Sequence, residues 1–180
     1  MKVTLIAAIS KDGFINHRVD EQASEWTSPE DQAYYSALLK RYKLQFMGRK
    51  TYEAYKARFK RSSLYRRIIR TNNPELYKAV PGKLEFTDDP LSALITRLEQ
   101  EGFRHAALLG GSEVFTEFLD AGLVDEAYVT VEPVQFGSGV PFLLQNKTMA
   151  DYPSLTVDST TPLNASGTML VHYVRTEMAW

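Results

Sequence analysis

Three short stretches bring together residue types that can do chemistry. The first is "EDQAYY". Asp31, Tyr34, Tyr35 and Leu38 stand at i, i+3, i+4 and i+7, the spacing of one helix face. A carboxylate beside two aromatic rings can hydrogen-bond an N–H-rich heterocycle while the rings pack on it. Burial would raise its pKa and suit it to proton delivery. Asp31 also lies three residues after Ser28, the spacing of a capping box with aspartate in place of glutamate. Spacing alone favours the cap, and one side chain cannot serve both roles.

The second stretch is "HAALLGGSEVFTEFL". An apolar run stops at Gly110 and Gly111 and restarts as a helix. Glycine lets the backbone turn and lets a ligand come close. The free N–H groups of Ser112, Glu113 and Val114 then suit a phosphate. The pair is neither G-x-G-x-x-G nor a P-loop, and an isolated Gly-Gly is more often only a tight turn.

The third stretch is "MGRKTYEAY". Gly48 ends a strand, and Arg49, Lys50 and Thr51 open a helix. Cations are unfavourable there unless an anion neutralises them. A bound phosphate and two solvated charges explain them equally well. Seven cations follow between Lys56 and Arg70 with no acid: Lys56, Arg58, Lys60, Arg61, Arg66, Arg67 and Arg70. Most read as a solvated face. Arg70, Thr71 and Asn72 differ, because they end a strand at the ligand edge and could hold a 2′-phosphate and an adenosine ribose. "GSGVP" reads as a surface turn. Trp26 either shields a pocket or sits in the core.

Other chemistries find no support. With no cysteine, the chain has no disulfide, thiol nucleophile or thiolate metal site. His17, His105 and His172 are scattered, with no metal spacing and no Ser-His-acid set. No metal is expected. The net charge of -1 argues against nucleic acid. No apolar run reaches the roughly 20 residues of a membrane span, and the N-terminus lacks a secretory pattern. A cytoplasmic location without membrane association is expected.

The elements that must position these residues alternate. "VTLIAAI" is a strand covered on both faces. Ser28 caps a helix with Pro29 at its first position, and Asp89 with Pro90 opens another. Strands separated by helices imply a mostly parallel sheet, and the last two β segments imply an antiparallel edge. One α/β domain over residues 1–180 follows, with about eight strands and four helices. Ligands in such sheets sit beyond the carboxyl ends of the strands.

The order of "VTLIAAISKDGFIN", "EDQAYY", "FMGRKTYE", "IIRTNN", "ALLGGSEVFTEFL", "VDEAYVTV" and "GTMLVHYVR" resembles the dihydrofolate reductase superfamily. That superfamily includes the reductase domain of riboflavin-biosynthesis deaminase–reductases. The resemblance covers nearly the whole chain. It implies a three-layer α/β/α fold, a homodimer, and a reductase using NADPH on a pyrimidine- or pterin-like substrate. By position, the backbone at Ala8 and Ile15 would meet the nicotinamide. Gly48, Arg49, Lys50 and Thr51, with Gly110, Gly111, Ser112, Glu113 and Val114, would hold the pyrophosphate. Arg49, Arg70, Thr71 and Asn72 would lie near the adenosine. Asp31 would be the catalytic carboxylate, with Trp26, Tyr35 and Thr130 at the substrate. The resemblance thus lifts the catalytic reading of Asp31 above the capping one.

Folate reductases carry an arginine in a Leu-Pro-Gly-Arg turn for the glutamate tail. Here that region is "SSLYRR", with Arg66 as the candidate substitute. The longer signature usual around the second strand of the riboflavin-type enzymes is also missing. "VTVEPVQFGSGVPF" and "SGTMLVHYV" nevertheless look closer to that branch. Folate reduction proper and non-catalytic nucleotide binding are the alternatives.

Overall fold

The computed structural model describes residues 1–59 and 64–176. β1 (Lys2–Ser10) is apolar on both faces because it lies inside the sheet, parallel to a neighbour on each side. Those neighbours are β6 (His105–Leu108) and β7 (Glu126–Glu132). Beyond β6 come β3 (Leu44–Gly48), β4 (Arg66–Arg70) and β5 (Leu84–Thr87), all parallel. Beyond β7 come β10 (Met169–Arg175) and β9 (Leu155–Pro162), both antiparallel to their neighbours. The eight-stranded order is β5-β4-β3-β6-β1-β7-β10-β9, with the expected antiparallel edge.

Side-chain alternation sends successive residues to opposite faces. Leu5, Phe46, Ile68 and Leu108 meet α3 (Leu91–Gln100) and α4 (Ser112–Asp120) through Leu94, Leu98, Phe115 and Phe118. The Phe46 and Phe118 rings lie 5.0 Å apart at the centre of this layer. Ile6 and Ala107 face the other way, against Leu38 of α1 (Pro29–Leu39) and Tyr42 just beyond it. α2 (Arg49–Phe59) shares that second layer, where Phe59 covers the Arg67 guanidinium at 4.2 Å.

Two details differ from the sequence reading. Pro90, not Asp89, is the N-cap of α3. Asp89 belongs to the preceding turn: its N–H donates to Thr87 Oγ1 at 3.0 Å, and its carbonyl accepts from Arg70. The "GSGVP" turn leads into β8 (Val140–Pro141), which pairs with β2 (Phe14–Asn16) in a separate two-stranded ladder. Gly139 permits this approach, since a Cβ there would lie 2.4 Å from the Asn16 carbonyl oxygen.

Candidate active site

β3 and β6 are neighbours, yet the chain leaves them in opposite directions. After β3 it passes through α2 to β4, and after β6 through α4 to β7, on the other side of β1. This divergence opens a crevice at the carboxyl edge, where open α/β sheets bind ligands. Gly48 N–H donates to the Gly110 carbonyl at 2.7 Å and ties the two strand ends together. A Cβ on Gly48 would lie 3.0 Å from Val114 Cγ2. Gly110 has φ +102°, and a Cβ there would press on the Phe115 ring. Gly111 caps α4 without a side-chain acceptor, so among the described residues the first-turn N–H groups have no side-chain cap.

The resulting cleft has a volume of about 720 Å³. It gathers Ile15, Gly48, Arg49, Lys50, Thr51, Arg70, Thr71, Asn72, Gly111, Ser112, Glu113 and Val114 from four separate parts of the chain. Of the sequence candidates for the cofactor, Gly110 lies behind the lining, against Phe115, and Ala8 lines the adjoining cavity. Gly139, Val140 and Pro141 also line the cleft, so "GSGVP" is more than a surface turn.

The cationic stripe does not form one surface. Arg66 begins β4, at the edge away from the cleft, and pairs with Glu85 and Glu101. It therefore cannot replace the folate-tail arginine at the ligand edge. Lys56 pairs with Glu53, and Arg58 donates to Ser24 Oγ. Lys60 and Arg61 lie outside the described residues, as do Ser62 and Ser63 of "SSLYRR".

A second cavity of about 290 Å³ adjoins the cleft through the shared residues Ile15, Asn16, Thr51, Tyr55 and Gly111. Its walls are mostly apolar: Ile6, Ala8 and Met47 from the sheet, Leu39 from α1 and Phe59 from α2. Asp31 and Tyr35 enter from α1, as their spacing implies. Asp31 is the one carboxylate among the described lining residues, and only 7% exposed. Burial pushes its pKa up, and the charge of Glu132 adds to that. The hydroxyls of Thr130 and Thr27 act the other way as donors. Desolvation, with Tyr55 and Asp31 nearby, also raises the Tyr35 phenol, which stays neutral. Tyr34 turns instead to the sheet, 6.2 Å from the Tyr128 ring.

The capping alternative for Asp31 is settled by hydrogen bonds. Ser28 Oγ accepts from the Asp31 backbone N–H at 3.2 Å, so Ser28 is the cap. The other half of the box is absent, because Ser28 N–H donates to Glu132 Oε1 at 2.7 Å. Glu132 also accepts from Ser28 Oγ at 2.8 Å and from Thr168 Oγ1 at 2.7 Å. This second buried carboxylate frees the Asp31 side chain for the cavity. Thr130 stands behind Asp31 rather than in the lining. Trp26 is outside the lining as well. Its ring meets Phe136 edge-on at 5.1 Å, and its Nε1–H donates to Asn16 Oδ1.

Sequence reasoning missed Glu132, Asn16, Tyr55 and Arg58. Thr51, Tyr55 and Phe59 repeat every fourth residue on α2, a signal that was available for Tyr55. Glu132 gave none, since its partner is 104 residues away. Among the described residues no cluster could hold a metal ion, and no helix is long and apolar enough to cross a membrane.

Residues 1–165 match the model of the RibD C-terminal domain. The uncharacterized protein YwjB of Bacillus subtilis (strain 168) is 28% identical over 157 residues, covering 82% of this chain and 86% of that one. A putative riboflavin biosynthesis protein from Shewanella sp. PV-4 superposes with a TM-score of 0.76 at 22% identity, over 98% of this chain and 100% of that one. Dihydrofolate reductase from Enterococcus faecalis, complexed with NADP(H) and RAB-propyl, superposes with a TM-score of 0.72 at 20% identity, over 98% and 97%. The two superpositions bear on the fold, which is that of dihydrofolate reductase, and the match over residues 1–165 places the chain in the RibD C-terminal domain family.

Proposed function

We propose that the protein is an NADPH-dependent reductase of a pyrimidine- or pterin-like heterocycle, similar to 5-amino-6-(5-phosphoribosylamino)uracil reductase. One observation carries this reading: a desolvated carboxylate in an apolar cavity that opens onto a cleft built at two helix N-termini. The cleft suits a dinucleotide because Gly48 and Gly110 let the two strand ends pack closely on Val114 and Phe115, while Gly111 leaves the start of α4 without a side-chain cap. Gly48 to Thr51 and Gly111 to Val114 would hold the diphosphate. Arg49, Arg70, Thr71 and Asn72 would take the adenosine end, and Ala8 with Ile15 would border the nicotinamide. The bound cofactor supplies a hydride to a C=N or C=O carbon.

The chain positions the acceptor and handles the proton. Asp31 accepts N–H groups of the heterocycle and, with its pKa raised, gives a proton to the reduced bond. Thr130 and Thr27 orient it, and the apolar walls keep water from competing. On the resemblance alone, the enzyme acts as a cytoplasmic homodimer, which fractionation and light scattering would check.

Fluorescence titration with NADPH, followed by turnover of the pyrimidine substrate and of dihydrofolate, tests the function. Asp31→Asn is expected to bind cofactor normally and to lose turnover by a factor on the order of 10²–10⁴. Turnover equal to wild type would remove Asp31 from the chemistry.

A further inference from the structure

We propose that Glu117 sets how the cleft discriminates between a 2′-hydroxyl and a 2′-phosphate on an adenosine ribose, by holding Arg70 already neutralised. The inference rests on the reading that the cleft takes a nicotinamide dinucleotide.

Arg70 ends β4 at the carboxyl edge and lines the cleft. Its side chain is only 11% exposed. Nη2 and Nε donate to the two oxygens of Glu117, at 2.7 and 3.3 Å. Nη1 donates to the carbonyls of Asp89 at 2.7 Å and Thr87 at 3.3 Å. Every nitrogen of the guanidinium thus has a protein acceptor. An arginine fork suits phosphate because its donors are fixed in one plane, and here the plane is taken by a carboxylate.

Glu117 comes from α4 and lines the same cleft, with its side chain 38% exposed. One turn earlier Glu113 pairs with Lys50 at 3.2 Å, but both side chains are well exposed and the pair is weak in water. Arg49 has no carboxylate partner among the described residues. The most firmly fixed of the three cations is therefore the one whose charge is cancelled. A 2′-phosphate arriving there must displace Glu117 or lie beside its charge. A 2′-hydroxyl can donate to the same carboxylate, the arrangement by which an acidic residue selects an unphosphorylated ribose. The wild-type preference for NADPH over NADH is then modest.

Calorimetric titrations with NADPH, NADH, 2′,5′-ADP and 5′-AMP test this without turnover. Wild type is expected to bind NADPH and NADH within about tenfold of each other, and the two adenosine fragments likewise. Glu117→Gln keeps the shape and removes the charge. It should tighten NADPH and 2′,5′-ADP by about tenfold or more, the worth of one charge-assisted hydrogen bond, and leave NADH unchanged or somewhat weaker, never tighter. Glu117→Gln with Arg70→Met should lose that gain. The proposal is overturned if wild type already prefers NADPH by more than about tenfold. It is also overturned if Glu117→Gln leaves NADPH affinity where it was, or if the double variant keeps the gain. The wild-type comparison decides even if the variants do not fold. Binding without these patterns leaves the dinucleotide reading standing, whereas no binding of any probe overturns both.

Discussion

Asp31 carries a cost at neutral pH that an amide would not. Its folded pKa lies above the ordinary 3.8, chiefly through burial. Such a group contributes its full stability below the unfolded value and loses it as pH rises through the folded one. Asp31→Asn should therefore melt at a higher temperature than wild type at pH 7, and the gap should narrow as pH falls toward 3.8. An Asp31→Asn protein that melts below wild type at pH 7 would show that the carboxylate is well compensated. Together with the loss of turnover, the gain in stability would mark a site kept for chemistry rather than for folding. At this scale the sequence was half legible. The helical spacing of Asp31 and Tyr35 put both in one cavity. The spacing of Ser28 and Asp31 suggested a reciprocal box, but Glu132 takes the Ser28 N–H, and no local pattern reveals a carboxylate from a distant strand.

The strand–glycine–helix units were the most legible elements, because each is a local device. A strand must end, a helix must begin, and only glycine fits between them. Gly48→Ala would place a methyl group 3.0 Å from Val114 Cγ2. Overpacking of this kind costs about 1–3 kcal/mol. Chemical denaturation should show that loss, and NADPH should bind more weakly as the cleft narrows. Adding Val114→Ala should restore most of the stability. If Gly48→Ala alone is as stable as wild type, the contact is softer than its geometry implies. β2 and β8 were illegible for the opposite reason. Each is too short to show a period, and their pairing joins segments more than a hundred residues apart. The same applies to Glu117 of α4, whose role depends on Arg70 arriving from β4.

Over the whole molecule, α/β alternation predicted the sheet and its antiparallel edge, but not the polar ties between strands. Glu126 of β7 meets Lys2 of β1 at 2.9 Å and His172 of β10 at 2.7 Å. Burial alone would raise its pKa, but the hydrogen bonds from Lys2, His172 and Tyr128 win, and it falls to about 2. A depressed carboxylate stabilises above its unfolded value and loses that contribution as pH falls through the folded one. Between pH 4.5 and about 2, wild type should thus lose stability that Glu126→Gln never had. The difference at neutral pH should be on the order of 2 kcal/mol. Parallel acid titrations followed by circular dichroism would show this, and coincident curves would mean the tie is worth little.

Glu132 has a consequence of another kind. It fastens Ser28 to Thr168, 140 residues further on. Chains emerge from the ribosome amino end first. The nascent protein can stack its parallel strands early, while the start of α1 still lacks the Thr168 tie that only β10 brings. β10 thus completes the setting of α1, so a nascent chain that has not yet reached it would hold Asp31 loosely.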